Sequence, residues 1–253
     1  MKIFHIIFPL IFFSCSSSNG LNTVAEGRQA FNYIDESGKY SYIKDVKKNK
    51  GKIISRITIK SAKGGESILE KSVTISQAGS IKQNNRRAVA VRPLAADFLI
   101  WLNGQKYESQ MRINTKSKAM NIKTKTPEGR SFNEDITFPK GQIFCFFSQL
   151  SECLATANLV RKSHSQPDIA HSFHIVWESY PYNQEYLSGI GKTLFSPANI
   201  KYDGVYKRNH KFAVEVAGQN LLFHFTKNFS FLRMFWINQG ISLIPQGEDI
   251  ATE

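Results

Sequence analysis

The densest group of ligating side chains in this 253-residue chain is His164, Asp168, His171 and His174, four candidate metal ligands within eleven residues. On a helix His171 and His174 would share a face. Phe173, Ile175 and Trp177, however, repeat with a period of two, which makes this a strand, where an offset of three sends the imidazoles to opposite sides. Surface and turn histidines are the simpler reading, and neither a metal nor another cofactor is expected. Glu178, beside Trp177, could be a lone acid in an apolar groove. Acid/base work needs a second group within reach, none stands near it in sequence, and an edge or solvent-facing glutamate is expected. Trp177, Tyr180, Pro181 and Tyr182 form a patch of the kind that stacks on sugars, more simply read as core aromatics beside a turn. No Gly-x-Ser-x-Gly elbow, His-Glu-x-x-His helix or Gly-x-x-x-x-Gly-Lys loop occurs, so no catalytic residue is assigned.

The chain has three cysteines. Once Cys15 is consumed by the chemistry described below, Cys145 and Cys153 remain, and an even pair in an oxidising compartment argues for a disulfide. Along a continuous helix eight residues rise about 12 Å, beyond the roughly 4.4 to 6.8 Å that bridged Cα atoms span. Either the helix starts after Cys145 or both thiols are free and buried.

The elements that would position these groups are mostly strands. Residues 56–60 and 71–76 alternate apolar with polar, which puts aliphatics on one face and Lys, Thr and Ser on the other, the pattern of half-buried antiparallel strands. The best hairpin signal is Asn103-Gly104 between 98–102 and 105–107, because Asn-Gly supplies the positive φ angles of a type I′ turn. Alternation continues through 111–113 and 120–124. It returns in a more aromatic form at Phe173, Ile175 and Trp177, at Phe212, Val214 and Val216, and at Leu221, Phe223 and Phe225. Two final strands, near 231–237 and 241–244, flank Asn238-Gln239-Gly240. Segment 142–161 differs: it places Phe146, Leu150, Cys153 or Leu154, and Ala157 at helical intervals. The expected fold is mainly β: a curved antiparallel half-barrel or open-barrel meander over 38–250, with one central helix near 142–161 packed in its concavity.

Composition limits what such a domain does. Hydrophobic residues make up 42% of the chain, with 19 Phe, which excludes disorder. The net charge is +13, and it is uneven: residues 39–130 hold 21 Lys and Arg against 6 Asp and Glu, while the rest holds 12 against 14. A basic first half suits an anionic lipid or glycolipid, and in an extracytoplasmic compartment nucleic acid is not expected. Solvent faces that simply use Lys are the plainer account.

The first residues carry the expectation about compartment. Lys2 precedes an apolar run, 3–13, long enough for a signal segment and short of the roughly 20 residues of a spanning helix. Ser14-Cys15-Ser16-Ser17-Ser18-Asn19-Gly20 then resembles a lipobox, with Phe12 and Phe13 standing where that family has an aliphatic and a small residue. The resemblance implies a lipoprotein precursor: signal peptide 1–14 removed, Cys15 carrying acyl chains, 15–37 serving as tether with at most a short helix. Attachment by more than one chain is effectively stable. Ser16 after the cysteine implies sorting to the outer membrane, facing the periplasm.

The hairpin at 101–109, Phe138-Pro139-Lys140-Gly141 leading into 144–153, and the closing strands 236–245 resemble the half-barrel of the lipoprotein-localisation carriers and related periplasmic proteins of unknown function. That resemblance implies binding of an amphiphile or a partner rather than chemistry, in a cavity under the helix; Phe146, Leu150, Phe173, Trp177, Phe223 and Phe225 are the candidate lining. The competing expectation is a cell-wall polymer hydrolase or carbohydrate-binding envelope protein.

Overall fold

The computed structural model describes residues 26–62, 68–83 and 86–246. The expected signal peptide, Cys15 and the first part of the tether lie outside them. Two meanders make the sheet. The first runs β1 (Gly27–Ile34), β2 (Tyr40–Asn49), β3 (Lys52–Ser61), β4 (Ile68–Gln83), β5 (Arg86–Leu102), β6 (Gln105–Asn114), β7 (Ala119–Lys125) and β8 (Ser131–Thr137). Then come β9 (Phe144–Phe146), a 3-10 turn (Phe147–Gln149), α1 (Leu150–Thr156) and α2 (Leu159–Ser165). The second meander runs β10 (His171–Val176), β11 (Phe195–Tyr206), β12 (Asn209–Val216), β13 (Gln219–Phe225), β14 (Phe231–Trp236) and β15 (Ile241–Pro245).

β1 pairs with β15 through Tyr33↔Pro245 and Ile34↔Ile244, which joins the meanders into a single sheet of fifteen strands among the described residues. β8 and β9 lie at its two ends. The sheet curves until the segment entering β9 meets β5: Val91 N donates to Gln142 O at 3.0 Å, and His174 N donates to Ile143 O at 2.9 Å. The result is a barrel-like but unclosed sheet, as the alternation predicts. At the β5–β6 hairpin Asn103 and Gly104 have φ of 51° and 76°, the positive values a type I′ turn requires.

Two boundaries differ from expectation. The tether does not extend to residue 37, because β1 occupies Gly27–Ile34 and pairs along its whole length with β2. Tyr33 is the reason: its ring is buried and meets Phe231 edge-on at 5.9 Å, anchoring the strand to the second meander. The helix near 142–161 is also not continuous. Residues 144–146 pair in parallel with β10, and Asn158, at φ 60°, breaks the rest into α1 and α2. Asn tolerates that left-handed conformation, which is how helices commonly end.

One strand is inverted relative to its sequence pattern. In β4 the buried side chains are Ser72, Thr74 and Ser76, while Val73 and Ile75 are only half-buried on the outer face. The polar face looks inward because the 3-10 turn docks on it through hydrogen bonds. Ser76 Oγ donates to Gln149 Oε1 (2.7 Å), and Gln149 Nε2 donates to Thr74 O (2.8 Å) and Ile53 O (3.2 Å). Thr74 Oγ1 and Ser148 Oγ lie 3.0 Å apart. Gln149 is fully buried with its amide satisfied on both sides, so the plug sits in one register on the sheet. The apolar core fills the other half of the concavity, where α1 and α2 share one buried cluster with β5 to β7 and β9 to β14, including Met111, Ile122, Leu154, Val160 and Phe212.

Candidate functional site

The half of the concavity that the helices leave unfilled is a cavity of about 460 Å³, a size typical of small-molecule sites. Strand register builds its wall. Cross-strand pairs Tyr33↔Tyr42, Tyr42↔Ile59, Ile59↔Glu70 and Glu70↔Ile100 form a row across β1 to β5, and side chains opposite one another share a face. The next row, Lys44↔Ile57 and Ser72↔Phe98, lies two residues along. Opposite stand Phe223, Phe231, Met234 and Leu243 from β13 to β15, with Phe147, Ser148 and Leu150 at the end of the plug. Tyr40, 40% exposed, also contributes to the lining. The surface is mostly aliphatic and aromatic, with a few ionisable groups set into it.

Glu178 lines this cavity and is buried, not solvent-facing as its sequence neighbours suggest. Its carboxylate accepts from Phe147 N (3.0 Å) and Ser148 N (2.8 Å), satisfying backbone donors at the start of the 3-10 turn. Burial pushes its carboxyl up, and the hydrogen bonds from Ser148 and Phe147 offset only part of that. The second carboxylate missing from the sequence reading is Glu70. It arrives from β4, more than a hundred residues away in the chain, and lines the same cavity. Glu70 keeps partial contact with solvent through the cavity although protein surrounds it. Burial first, and then the negative charge of Glu178, push its carboxyl up to about 8. Tyr186, also lining the cavity, is held well above its ordinary range by burial and by Glu70.

Lys44 is committed elsewhere. Its ammonium lies 2.8 Å from Glu152 Oε2 and donates at 3.5 Å to Ser151 Oγ. Burial would raise the Glu152 carboxyl, but the charge and hydrogen bond of Lys44, with the charge of Lys48, outweigh it and hold the group below the ordinary carboxylate range.

Of the six candidate lining residues, Leu150 and Phe223 face this cavity. Phe146, Phe173, Trp177 and Phe225 belong to the packed core instead. Phe146 is itself a sheet residue in β9, and Trp177 lies against Phe147 at 5.1 Å while its indole donates to Ser196 Oγ at 2.8 Å. The residues that sequence reasoning missed, Tyr33, Tyr42, Glu70, Phe98, Ile100 and Phe231, come from strands whose curvature alone brings them together.

Cys145 and Cys153 are bonded, with Cα atoms 5.7 Å apart. Of the two geometries left open by spacing, the first holds: Cys145 stands in β9 and the helix begins after it. The histidines are dispersed. His164 packs on His210 at 4.5 Å, His174 stacks on Phe144 at 5.0 Å, and His171 is buried on the other face of β10. Among the described residues no three His, Cys, Asp or Glu side chains are grouped to hold a metal ion.

The chain matches no known family model and no curated protein. Among solved structures it is similar to the crystal structure of a beta-barrel-like protein of the domain of unknown function DUF1849 from Brucella abortus. The TM-score is 0.40 at 9% identity, over 85% of this chain and 92% of that one.

Proposed function

We propose that this is a lipid-anchored cell-envelope protein of non-catalytic type whose half-barrel takes up an amphiphile, a lipid or the acyl chain of a lipoprotein. The observation that carries the reading is the 460 Å³ cavity lined by Tyr33, Tyr42, Phe98, Ile100, Phe223 and Phe231. Apolar lining on this scale is left unfilled in a sheet whose other half is tightly packed, and interiors otherwise tolerate few voids. An acyl chain would recover the apolar contact at roughly 25 cal/mol per Å² buried. The lipobox-like Cys15 leader supports anchoring at the outer membrane on its periplasmic side. The basic surface within 39–130 would then face anionic headgroups.

The test is native mass spectrometry, with lipid extraction, of the full processed chain purified from a bacterial envelope that contains its own lipids. A co-purifying lipid at near-unit stoichiometry is the expected result. A clean apo mass would overturn the amphiphile reading and favour a partner protein. A cell-wall polymer hydrolase or carbohydrate-binding protein is the second reading, favoured by one observation: Glu70 and Glu178 share a cavity. Two backbone donors already occupy Glu178, and most of the lining surface is apolar. Hydrolysis of purified cell-wall polymer that disappears in Glu70→Gln would decide for it.

A further inference from the structure

Ion pairing in and around the cavity leaves one charge over. The lining holds three charged side chains, Lys44, Glu70 and Glu178. Lys44 is paired with Glu152, and Glu178 is held by the amides of Phe147 and Ser148. Among the described residues no hydrogen bond or ion pair reaches the Glu70 carboxylate, although strand register fixes the residue between Ile59 and Ile100 on the inner wall. An uncompensated carboxylate in apolar surroundings is costly, and the cost is relieved either by a proton or by a cation brought into the cavity. Tyr33, Tyr40, Tyr42 and Tyr186 line the same space, and tyrosine rings attract ammonium groups through their faces.

We propose that the cavity selects an amphiphile with an ammonium head, the head pairing with Glu70 and the chain lying against Phe98, Ile100, Phe223 and Phe231. This deepens the amphiphile reading and rests on it. Recognition of this kind runs against the protein's net charge of +13, which by itself draws anionic chains to the surface. A preference for a cationic head therefore reports the cavity and not the surface. The elevated carboxyl of Glu70 fits the same picture: with no partner it favours the neutral form, and an arriving ammonium would displace its proton.

The experiment is a titration of the full chain with three single-chain probes of equal length below their micelle concentrations: decylammonium, decanoate and decyl maltoside. Binding is followed by the fluorescence of Trp101, a lining residue, near pH 9, where a primary ammonium is still charged. Decylammonium should bind about tenfold more tightly than either other probe, the scale of one charge-assisted hydrogen bond. In Glu70→Gln that preference should fall to within about twofold while decyl maltoside affinity is unchanged, which also shows that the variant is folded. Equal binding of the three probes, or a preference that survives in Glu70→Gln, overturns the proposal and leaves the amphiphile reading standing. Failure of all three to bind overturns both.

Discussion

The Lys44 ammonium lies 2.8 Å from the Glu152 carboxylate, with 6% and 9% of the two side chains exposed, and ties the inner face of β2 to the plug helix α1. Removing one partner leaves the other buried and uncompensated. Lys44→Met should therefore destabilise the fold by about 3 kcal/mol, whereas Lys44→Met with Glu152→Leu should recover most of the loss. Urea unfolding of the two variants measures this. Because Glu152 is held below the ordinary carboxylate range, its contribution is present above that range and is lost as pH falls below it, through the lowered folded value.

Glu70 predicts the opposite trend at higher pH. Its carboxyl, raised to about 8 by burial and by Glu178, binds more protons folded than unfolded. Stability is then greatest below the unfolded carboxylate range and declines as pH rises toward 8. Tyr42 and Tyr186, which feel the Glu70 charge, stay protonated throughout that window. Partial solvent exposure of Glu70 screens part of the shift, leaving a decline of about 2 kcal/mol between roughly pH 5 and 8. Glu70→Gln should flatten it in urea midpoints measured across the range; an unchanged slope would mean that Glu70 is solvated like a surface residue.

His224 also weakens the fold on the acid side. Burial, and then the charges of Arg233 and Lys211, depress it to about 4, with Asp203 opposing them. A histidine depressed in the folded state holds fewer protons there than when unfolded, so stability falls as pH drops from about 6.5 toward 4. The imidazole is buried and Arg233 Nε approaches its Nδ1 at 3.4 Å. His224→Gln, which keeps an acceptor, should remove about 2 kcal/mol of that acid lability in thermal melts taken across the window.

The Cys145–Cys153 bond closes a short loop at the point where strand becomes helix. Loop-closure entropy for a separation of 8 residues gives ~2.5 kcal/mol. Replacing both cysteines by Ala should lower stability by about that amount while leaving the Gln149 hydrogen bonds in place. Those bonds are read out by the slowed exchange of the Gln149 side-chain amide, which donates to Thr74 O and Ile53 O.

Local chemistry was readable in the sequence wherever a residue type dictates its own geometry. Asn103-Gly104 can hardly do other than turn, and the aromatic parities of β10, β12 and β13 reappear as buried faces. Period was readable in β4, but its sign was not. Alternation says that Ser72, Thr74 and Ser76 share a face, and only the docking of Gln149 decides that this face points inward. Glu178 failed for the same reason, since its partners are backbone amides that no composition rule reveals. Glu70 was hidden by distance along the chain: its neighbours in the cavity come from strands on either side of a curvature that no local window contains. The single helix expected from spacing at 142–161 broke where Asn158 takes a left-handed conformation, a choice that Asn permits but does not demand.

Among the described residues, two strand pairs and the hydrogen bond from Gln246 N to Asn32 O join β1 to the C-terminal end of the sheet. In time rather than space, Tyr33 and Ile34 find their second neighbour only once β15 is in place. Until then the earlier meander is a curved surface with the Tyr33 edge of β1 unpaired, and the cavity has one wall. Contacts of such long sequence separation form slowly, so the binding space cannot be completed by any fragment that lacks the C-terminal strand. A chain cut short before Ile241 would present the aromatic wall of the future cavity to solvent, as a surface inviting aggregation.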